Sequence, residues 1–242
     1  MPKIVLFADY HTHTTYSDGK CCIEEVVEAA IKKGLKEIAI TDHGLGHMAY
    51  GLKKECVKEA KEEIGNLNKK YKDVIKVIFG IEANIVSLGG DTDLYDEYKQ
   101  YFDLVLLGFH YITRFKSGSR RHFVFQPRKH SKEFIDKTTK AFISAINKNK
   151  IDILSHPNVP LLVNHVELAS ACREVGTSIE INCKHHTLSD VEMFKEMKET
   201  GCNFAINTDA HKAFEVGNFE NGIEIAGSAG IPADRIINAV KH

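Results

Sequence analysis

Short apolar runs alternate with longer amphipathic stretches along almost the whole chain. The runs are continuous rather than alternating, which is typical of strands buried on both faces of a parallel sheet. They occupy residues 4–8, 37–41, 74–79, 104–107, 151–154, 178–181 and 204–206. Between them apolar residues recur at helical spacing, as at Ile23, Val26 and Ala30, and Gly34 ends that predicted helix. Seven strand-then-helix units follow one another, and this order predicts an α/β fold with a parallel sheet.

The residues at the ends of the strands decide between an open doubly wound sheet and a closed barrel. Six of the seven predicted strands are followed by His, Asp or Glu, and the remaining strand by Asn182. In a barrel these carboxyl ends surround one mouth, whereas the outer strand ends of an open sheet lie too far apart to share a site. No linker or low-complexity run divides the chain. We therefore predict a single domain over residues 1–242, a distorted (β/α)7 TIM-like barrel.

The stretch after the first strand carries the first metal-ligand pattern. His11 and His13 lie two residues apart, so in extended chain both imidazoles point the same way. Asp18 sits in a Ser-Asp-Gly turn, where a carboxylate can fold back over the same mouth. Two imidazoles that converge from a strand end make half of a four-coordinate site.

Similar side chains recur at the ends of the later strands. Together they give nine candidate metal ligands: His11, His13, Asp18, His43, Glu82, His110, His156, Asp209 and His211. One ion takes about three or four protein ligands, so three divalent ions with one bridging carboxylate fit this number best. The alternative is that the six histidines follow strands by chance and bind no metal, which would require the same coincidence at several separate strands.

Composition narrows the classes of function. The chain has 43% hydrophobic and 27% charged residues with a net charge of −1, so there is no basic field to attract nucleic acid. Six cysteines without C-x-x-C spacing are expected to be reduced thiols. No secretory signal and no apolar run of membrane-spanning length is found, so we expect a cytoplasmic protein. The sequence carries no signal for the oligomeric state.

Six short motifs contain the candidate ligands of the strand ends: His11-Thr-His13, Thr41-Asp-His43-Gly, Gly80-Ile-Glu82-Ala-Asn84, Gly108-Phe-His110, Ser155-His156-Pro and Thr208-Asp209-Ala-His211. In this order they resemble the motifs of the PHP (polymerase and histidinol phosphatase) family of metal-dependent phosphoesterases. The resemblance extends from about residue 7 to residue 240 and is strongest to the small stand-alone bacterial members. It implies a distorted (β/α)7 barrel with three ions, zinc first, with manganese or iron as the alternatives.

The resemblance also implies how the nine residues divide among the ions. The first ion would be held by His11, His13, Glu82 and Asp209. Glu82 would bridge to the second ion, which would be held as well by His110 and His156. The third ion would be held by Asp18, His43 and His211. The stand-alone relatives often carry a histidine near the position of Asp18, so the aspartate here leaves the metal identity open.

The chemistry expected of such a centre is hydrolysis of a phosphoric ester. Divalent ions neutralise the phosphate oxygens and generate hydroxide near neutral pH, here beside Glu82. His185 and His186 lie past the sixth strand, and we assign protonation of the leaving alkoxide to a metal-bound water or to His186. Glu180 is expected to support the site.

A basic segment without acidic residues, 111–131, begins one residue after His110. Loops at this face of a barrel set specificity, and arginine forks suit phosphate oxygens. Arg114 and Arg128 are therefore the predicted clamp on a small phosphorylated substrate.

Four alternatives remain open. The enzyme could act on histidinol phosphate specifically, or it could be an amidohydrolase-type metal hydrolase. The latter class usually presents a single aspartate at the last strand, whereas this chain has Asp209-x-His211. A metal-dependent exonuclease is disfavoured by the near-zero net charge. A non-catalytic metal-binding module is disfavoured because all nine positions keep ligand chemistry.

Overall fold

The computed structural model describes residues 4–125 and 131–240. Seven parallel strands form one sheet in the order of the sequence. They are β1 (Ala8–Asp9), β2 (Glu37–Ile40), β3 (Lys76–Asn84), β4 (Leu104–Gly108), β5 (Ile153–Leu154), β6 (Ser178–Asn182) and β7 (Phe204–Asn207). The predicted single-domain (β/α)7 barrel is confirmed, and Glu82 lies inside β3 rather than after it.

Helices connect the strands and cover the outside of the barrel. They are α1 (Ile23–Lys32), α2 (Val57–Lys70), α3 (Asp96–Lys99), α4 (Arg120–Val124), α5 (Lys132–Lys148), α6 (His165–Val175), α7 (Val191–Glu199) and α8 (Glu220–Ala229). The sequence predicted seven of these and took the region of α4 for irregular chain. Within the two described ranges, no helix combines the length and the apolar content that crossing a membrane would require.

The helix ends follow from local sequence. In α5 the side chain of Ser131 accepts a hydrogen bond from the Phe134 N–H, and Asn164 caps α6 in the same way through the Glu167 N–H. These bonds satisfy N–H groups that the first turn of a helix leaves unpaired. At the other end of α6, Gly176 adopts a left-handed conformation (φ 81°), which glycine tolerates without steric cost.

At the mouth, the chain after β1 pairs directly with the chain after β7, because the His13 N–H bonds to Ala210 O and the Ala210 N–H bonds to His11 O. Below this point, the end of the chain fills the gap between β7 and β1. Ile237 N–H bonds to Phe204 O, and the Asn238 side chain bridges the strands by donating to Ala8 O and Ile206 O. The sequence predicts a helix from Ala233 to Val240, and this prediction is wrong. A 3-10 turn, Ala233–Arg235, forms instead, and single β-bridges at Ile236 and Ala239 follow it. The facing edges of β7 and β1 carry backbone groups that need hydrogen-bond partners. The end of the chain supplies them, and these tertiary contacts outweigh its helical propensity.

The interior of the barrel divides into an apolar floor and a polar mouth. The floor is formed by buried side chains from five strands or their ends: Ala8, Tyr10, Ala39, Leu106, Ile153 and Ala205. A larger apolar layer lies between the strands and the helices. The buried polar side chains gather at the carboxyl ends of the strands, where the candidate ligands lie.

Candidate metal centre

Five imidazoles surround the carboxylate of Glu82, which is fully buried in β3. Its Oε1 lies 2.9 Å from His156 Nε2 and 3.4 Å from His11 Nε2. Its Oε2 faces three further ring nitrogens, at 2.9, 3.7 and 3.8 Å, which belong to His43 (Nδ1), His110 (Nε2) and His13 (Nε2). One carboxylate is thus shared by side chains from four other strand ends.

Asp209 and Asp18 flank this group on the side of β7. Asp209 Oδ1 lies 3.2 Å from His13 Nε2 and 3.9 Å from His11 Nε2. Asp18 Oδ1 lies 3.2 Å from His211 Nε2 and 3.4 Å from His43 Nε2. All nine predicted ligands therefore lie in one connected cluster of nitrogen and oxygen atoms.

The ligand atoms converge in three groups, each with all atoms within 4.8 Å of one another. The groups are His11, His13 and Glu82; His43, Glu82 and His110; and His13, Asp18, His43 and His211. They resemble the three expected sets, with three differences. Asp209 was expected beside His11, His13 and Glu82 but is in none of the groups. His43 joins the group of Glu82 and His110 where His156 was expected, and His13 also joins the Asp18 group. His156 instead lies at hydrogen-bond distance from Glu82 Oε1.

Several of these atoms are buried without a hydrogen-bond partner among the described residues. They are His11 Nε2, both ring nitrogens of His13, Asp18 Oδ1, His43 Nδ1 and Glu82 Oε2. His43 Nδ1 is close to Glu82 Oε2, but without the geometry of a hydrogen bond. Each unpaired buried polar atom costs about 1–3 kcal/mol, so such a cluster indicates a ligand that the protein is built to hold. Imidazole nitrogens and carboxylate oxygens are the donors that zinc, manganese and iron accept, so the residues fit divalent ions.

Four of the histidines are held by their other ring nitrogen. His11 Nδ1 lies 2.8 Å from Glu180 Oε1, and His110 Nδ1 lies 2.6 Å from Asn84 Oδ1. The Nδ1 atoms of His156 and His211 lie 3.0 and 2.9 Å from backbone carbonyl oxygens. A proton donated from Nδ1 leaves the Nε2 lone pair directed at the centre, which is the tautomer that metal binding requires.

Glu180 is a supporting carboxylate with four hydrogen-bond partners among the described residues. It is fully buried in β6, and besides His11 it accepts hydrogen bonds from the His156 N–H and from the side-chain amides of Asn182 and Asn207. Burial alone would raise the pKa of Glu180, but the charges and hydrogen bonds of these neighbours lower it to about 2. Glu180 is therefore a carboxylate that orients His11, as its position in Glu-Ile-Asn suggested.

Among the described residues, the carboxylates of Asp9 and Asp42 bind backbone N–H groups and hydroxyls and no imidazole ring. Asp42 accepts from the N–H and hydroxyl of Thr14 and from the hydroxyl of Ser17. Asp9 accepts from the N–H and hydroxyl of Thr208. Both carboxylates fix the backbone from which the ligands project.

Comparison with known proteins identifies the family. The profile of the PHP domain matches residues 9–188, which is more than half of the chain. The chain belongs to the PHP family. A probable phosphatase of Thermoanaerobacter sp. strain X514 is 31% identical over 252 aligned positions, which cover 98% of this chain and 91% of the relative. A probable phosphatase of Shewanella sp. strain MR-4 is 28% identical, with 95% and 86% covered. The chain is thus a metal-dependent PHP phosphoester hydrolase.

Solved structures support the same fold. The histidinol phosphate phosphatase of Lactococcus lactis, solved with zinc, L-histidinol and phosphate, has a TM-score of 0.64 at 20% identity, with 92% of this chain and 91% of that chain covered. A putative histidinol phosphatase of Listeria monocytogenes has a TM-score of 0.60 at 13% identity, with 87% and 97% covered. At these identities the likeness extends to the PHP barrel only.

The predicted proton donor, His186, does not face the cluster in this PHP barrel. Its Nδ1 accepts the Asn182 N–H at 3.0 Å, and its Nε2 lies 3.1 Å from Pro157 O. Both ring nitrogens are therefore engaged by the backbone, and the ring packs edge-on against Phe194. Burial lowers the pKa of His186, so the ring is neutral at physiological pH. It holds the loop after β6 in shape.

The preceding residues reach the centre instead. His185 Nε2 lies 3.1 Å from Asp209 Oδ2, and its ring centroid lies 5.2 Å from that of His156. Lys184 Nζ lies 3.1 Å from His211 Nδ1 and 3.8 Å from Asp209 Oδ1. The sequence pattern pointed to His185 as a residue past the sixth strand but did not point to Lys184. The available signal was a Lys-His pair two residues past a strand that ends at the mouth.

Of the two arginines predicted to bind the phosphate, Arg114 and Arg128, the structure describes only Arg114. Arg128 lies outside the described residues. Arg114 is exposed, and its N–H bonds to Gly46 O, which places it on the loop that borders His43 and His110. The role of Arg114 remains a prediction.

Proposed function

We propose that the protein is a phosphatase that hydrolyses a small phosphomonoester at a centre of three divalent ions. The observation that carries this proposal is the arrangement of Glu82, whose two oxygens are shared by five imidazoles. Several of the surrounding nitrogen and oxygen atoms have no hydrogen-bond partner in the described part of the chain. The nine cluster residues would hold the ions, with zinc the first choice and manganese or iron the alternatives. When bound, the ions would neutralise phosphate oxygens and activate water at neutral pH.

The protein's own side chains would position the substrate and the reacting groups. Glu82 would keep its negative charge between two ions, and its pKa is held well below the usual range by surrounding histidines despite full burial. His185 Nε2 is the ring nitrogen we assign to hold a proton near the leaving alkoxide, because His186 is occupied by backbone contacts. Arg114 would approach the phosphate from the opposite loop.

Three stacked rings beside the centre favour a substrate whose organic part contains a flat ring. The His43 and His47 rings are stacked with centroids 5.1 Å apart, and Tyr50 stacks on His47 at 5.5 Å with half of its surface exposed. The loop is fixed because the Met48 N–H bonds to Ile112 O and the Tyr50 N–H bonds to His47 Nδ1. Histidinol phosphate, which carries an imidazole, is therefore the first specific substrate to test.

Hydrolysis of a panel of phosphomonoesters, with metal content measured on the same sample, tests the proposal. We expect phosphate release from small alkyl and aryl phosphates that depends on zinc, manganese or iron. The variant His185→Gln should lose more rate on an alkyl phosphate, whose leaving alkoxide needs a proton, than on p-nitrophenyl phosphate, whose leaving group does not.

Three results would direct the function elsewhere. Release of nucleotides from DNA ends without phosphomonoester hydrolysis would favour an exonuclease, and cleavage of amides or cyclic amides would favour an amidohydrolase. Stoichiometric metal with no hydrolysis of any substrate would favour a metal-binding module.

A further inference from the structure

We propose that Lys184 is a substrate-binding residue whose ammonium holds an oxygen of the phosphoryl group. This inference rests on the proposed phosphatase function and adds a residue to it. It assigns the phosphate contact to the loop after β6, on the opposite side of the centre from Arg114.

The backbone of this loop is tightly built. The N–H groups of Lys184 and His185 both donate to the Asn182 side-chain oxygen at 3.0 Å, and the Cys183 N–H bonds to Asn207 O. From outside, the Asn221 side-chain amide donates to Cys183 O at 2.8 Å. A loop with this many satisfied backbone groups fixes the Cα of Lys184 and leaves its side chain as the part that can move.

The Lys184 side chain extends over the cluster from the solvent side. Its Nζ lies 3.1 Å from His211 Nδ1 and 3.8 Å from Asp209 Oδ1, and 45% of the side chain is exposed. Across the described ranges 4–125 and 131–240, it is the one lysine or arginine within 4 Å of a carboxylate oxygen of Asp18, Glu82 or Asp209. The ammonium therefore stands at the edge of the centre that faces an arriving substrate.

These contacts leave the ammonium with protons to donate. His211 Nδ1 lies 2.9 Å from Asp209 O, and a ring that donates a proton to this carbonyl has no lone pair on Nδ1 for Lys184. That tautomer is also the one that frees His211 Nε2, which lies 3.2 Å from Asp18 Oδ1. What remains is the 3.8 Å contact with Asp209, and a half-exposed contact of this length is weak.

A phosphomonoester would supply a closer anionic partner for this ammonium than Asp209, whose oxygen lies 3.8 Å away. Its phosphoryl group carries up to two negative charges, and a lysine binds such a group as a compact charge on a flexible stem. Turning from Asp209 to a phosphoryl oxygen costs little, because the contact that is given up is long and solvated. The loop between β6 and α7 thus supplies a phosphate contact.

The test compares metal-loaded wild type with Lys184→Ala, Lys184→Arg and a control, Lys195→Ala. Lys195 lies on α7 with 44% of its side chain exposed and an ion pair to Glu192, so it matches Lys184 in exposure and pairing but not in position. We would measure KM and kcat for p-nitrophenyl phosphate, competitive inhibition by inorganic phosphate, phosphate affinity by calorimetry, and metal content.

For Lys184→Ala we expect KM and the inhibition constant of phosphate to rise about tenfold or more with unchanged metal content, since a hydrogen bond from a charged group is lost. Lys184→Arg should recover part of the loss, and Lys195→Ala should match wild type. Phosphate affinity in Lys184→Ala within about twofold of wild type would overturn the inference, and so would a loss of metal from that variant. If wild type hydrolyses no phosphomonoester, the proposed function fails; calorimetry with inorganic phosphate still decides the role of Lys184, and absence of phosphate binding to wild type would overturn it.

Discussion

Replacing Glu180 with glutamine tests whether a buried carboxylate outside the ligand cluster sets its metal affinity. Oε1 accepts from His11 Nδ1 and Asn207, and Oε2 accepts from the His156 N–H and Asn182, at 2.8–2.9 Å. In the glutamine variant, an NH2 group replaces one of the two oxygens. At either position, two hydrogen-bond donors of the protein would then face this NH2 group, which cannot accept from them. Loss of two hydrogen bonds to a charged group corresponds to about 3–6 kcal/mol before relaxation, at about 1.5–3 kcal/mol each.

The amide nitrogen would disturb His11 in one orientation and the His156 backbone in the other, and both residues are candidate ligands. We therefore expect Glu180→Gln to lower metal affinity about 10–100-fold, the range usual for partners of metal-bound histidines. Competition with a chelator would measure affinity, and urea unfolding of metal-free protein would measure the separate loss of stability. Glu37→Gln is a suitable control, because Glu37 accepts from the Tyr10 hydroxyl at the floor of the barrel. Wild-type metal affinity in a folded Glu180→Gln protein would refute this reasoning.

Three further predictions follow from single groups of the centre. Glu82→Gln should reduce kcat by about a hundredfold or more, because the bridging position loses its charge at two ions, and near-normal turnover would remove the bridge. Burial would lower the pKa of His43, but hydrogen bonds and charges of Asp18 and Glu82 raise it to about 10. In metal-free protein this proton stabilises the fold below the unfolded pKa near 6.5, and that stability is lost as pH rises toward 10. Metal affinity should therefore rise between pH 6.5 and 10, by up to about tenfold per pH unit for each proton released. Calorimetry in buffers of different ionisation enthalpy should detect the released proton. A metal affinity that is independent of pH would contradict this prediction. Arg114→Ala should raise KM about tenfold at constant metal content. If the variant has the same KM as wild type, Arg114 does not bind substrate and this part of the 111–131 segment is solvated surface.

The fold could be predicted because each strand is a continuous apolar run followed by a polar residue. The exceptions lie where distant partners decide the local structure. The segment after Arg235 is not helical because Asn238 bonds to Ala8 and Ile206, which are far from it in the chain. No local pattern reveals that closure.

The positions of the nine candidate ligands at one mouth could be foreseen, since parallel strands share their carboxyl ends. The orientation of side chains two to four residues past a strand could not. His185 and His186 are adjacent residues of the same type. The His186 ring nevertheless contacts a backbone carbonyl, whereas the His185 ring contacts the Asp209 carboxylate. Such choices depend on loop geometry that emerges only with the neighbouring loops in place.

The number of ions bound per chain, together with their ligands, tests the central claim most directly. Protein saturated with zinc or manganese should contain about three ions per chain by elemental analysis, and anomalous diffraction should place them among the nine cluster residues. Phosphatase activity should be lost with a chelator and return with the metal. One ion or none in metal-saturated protein, or ions located away from Glu82, would contradict the account.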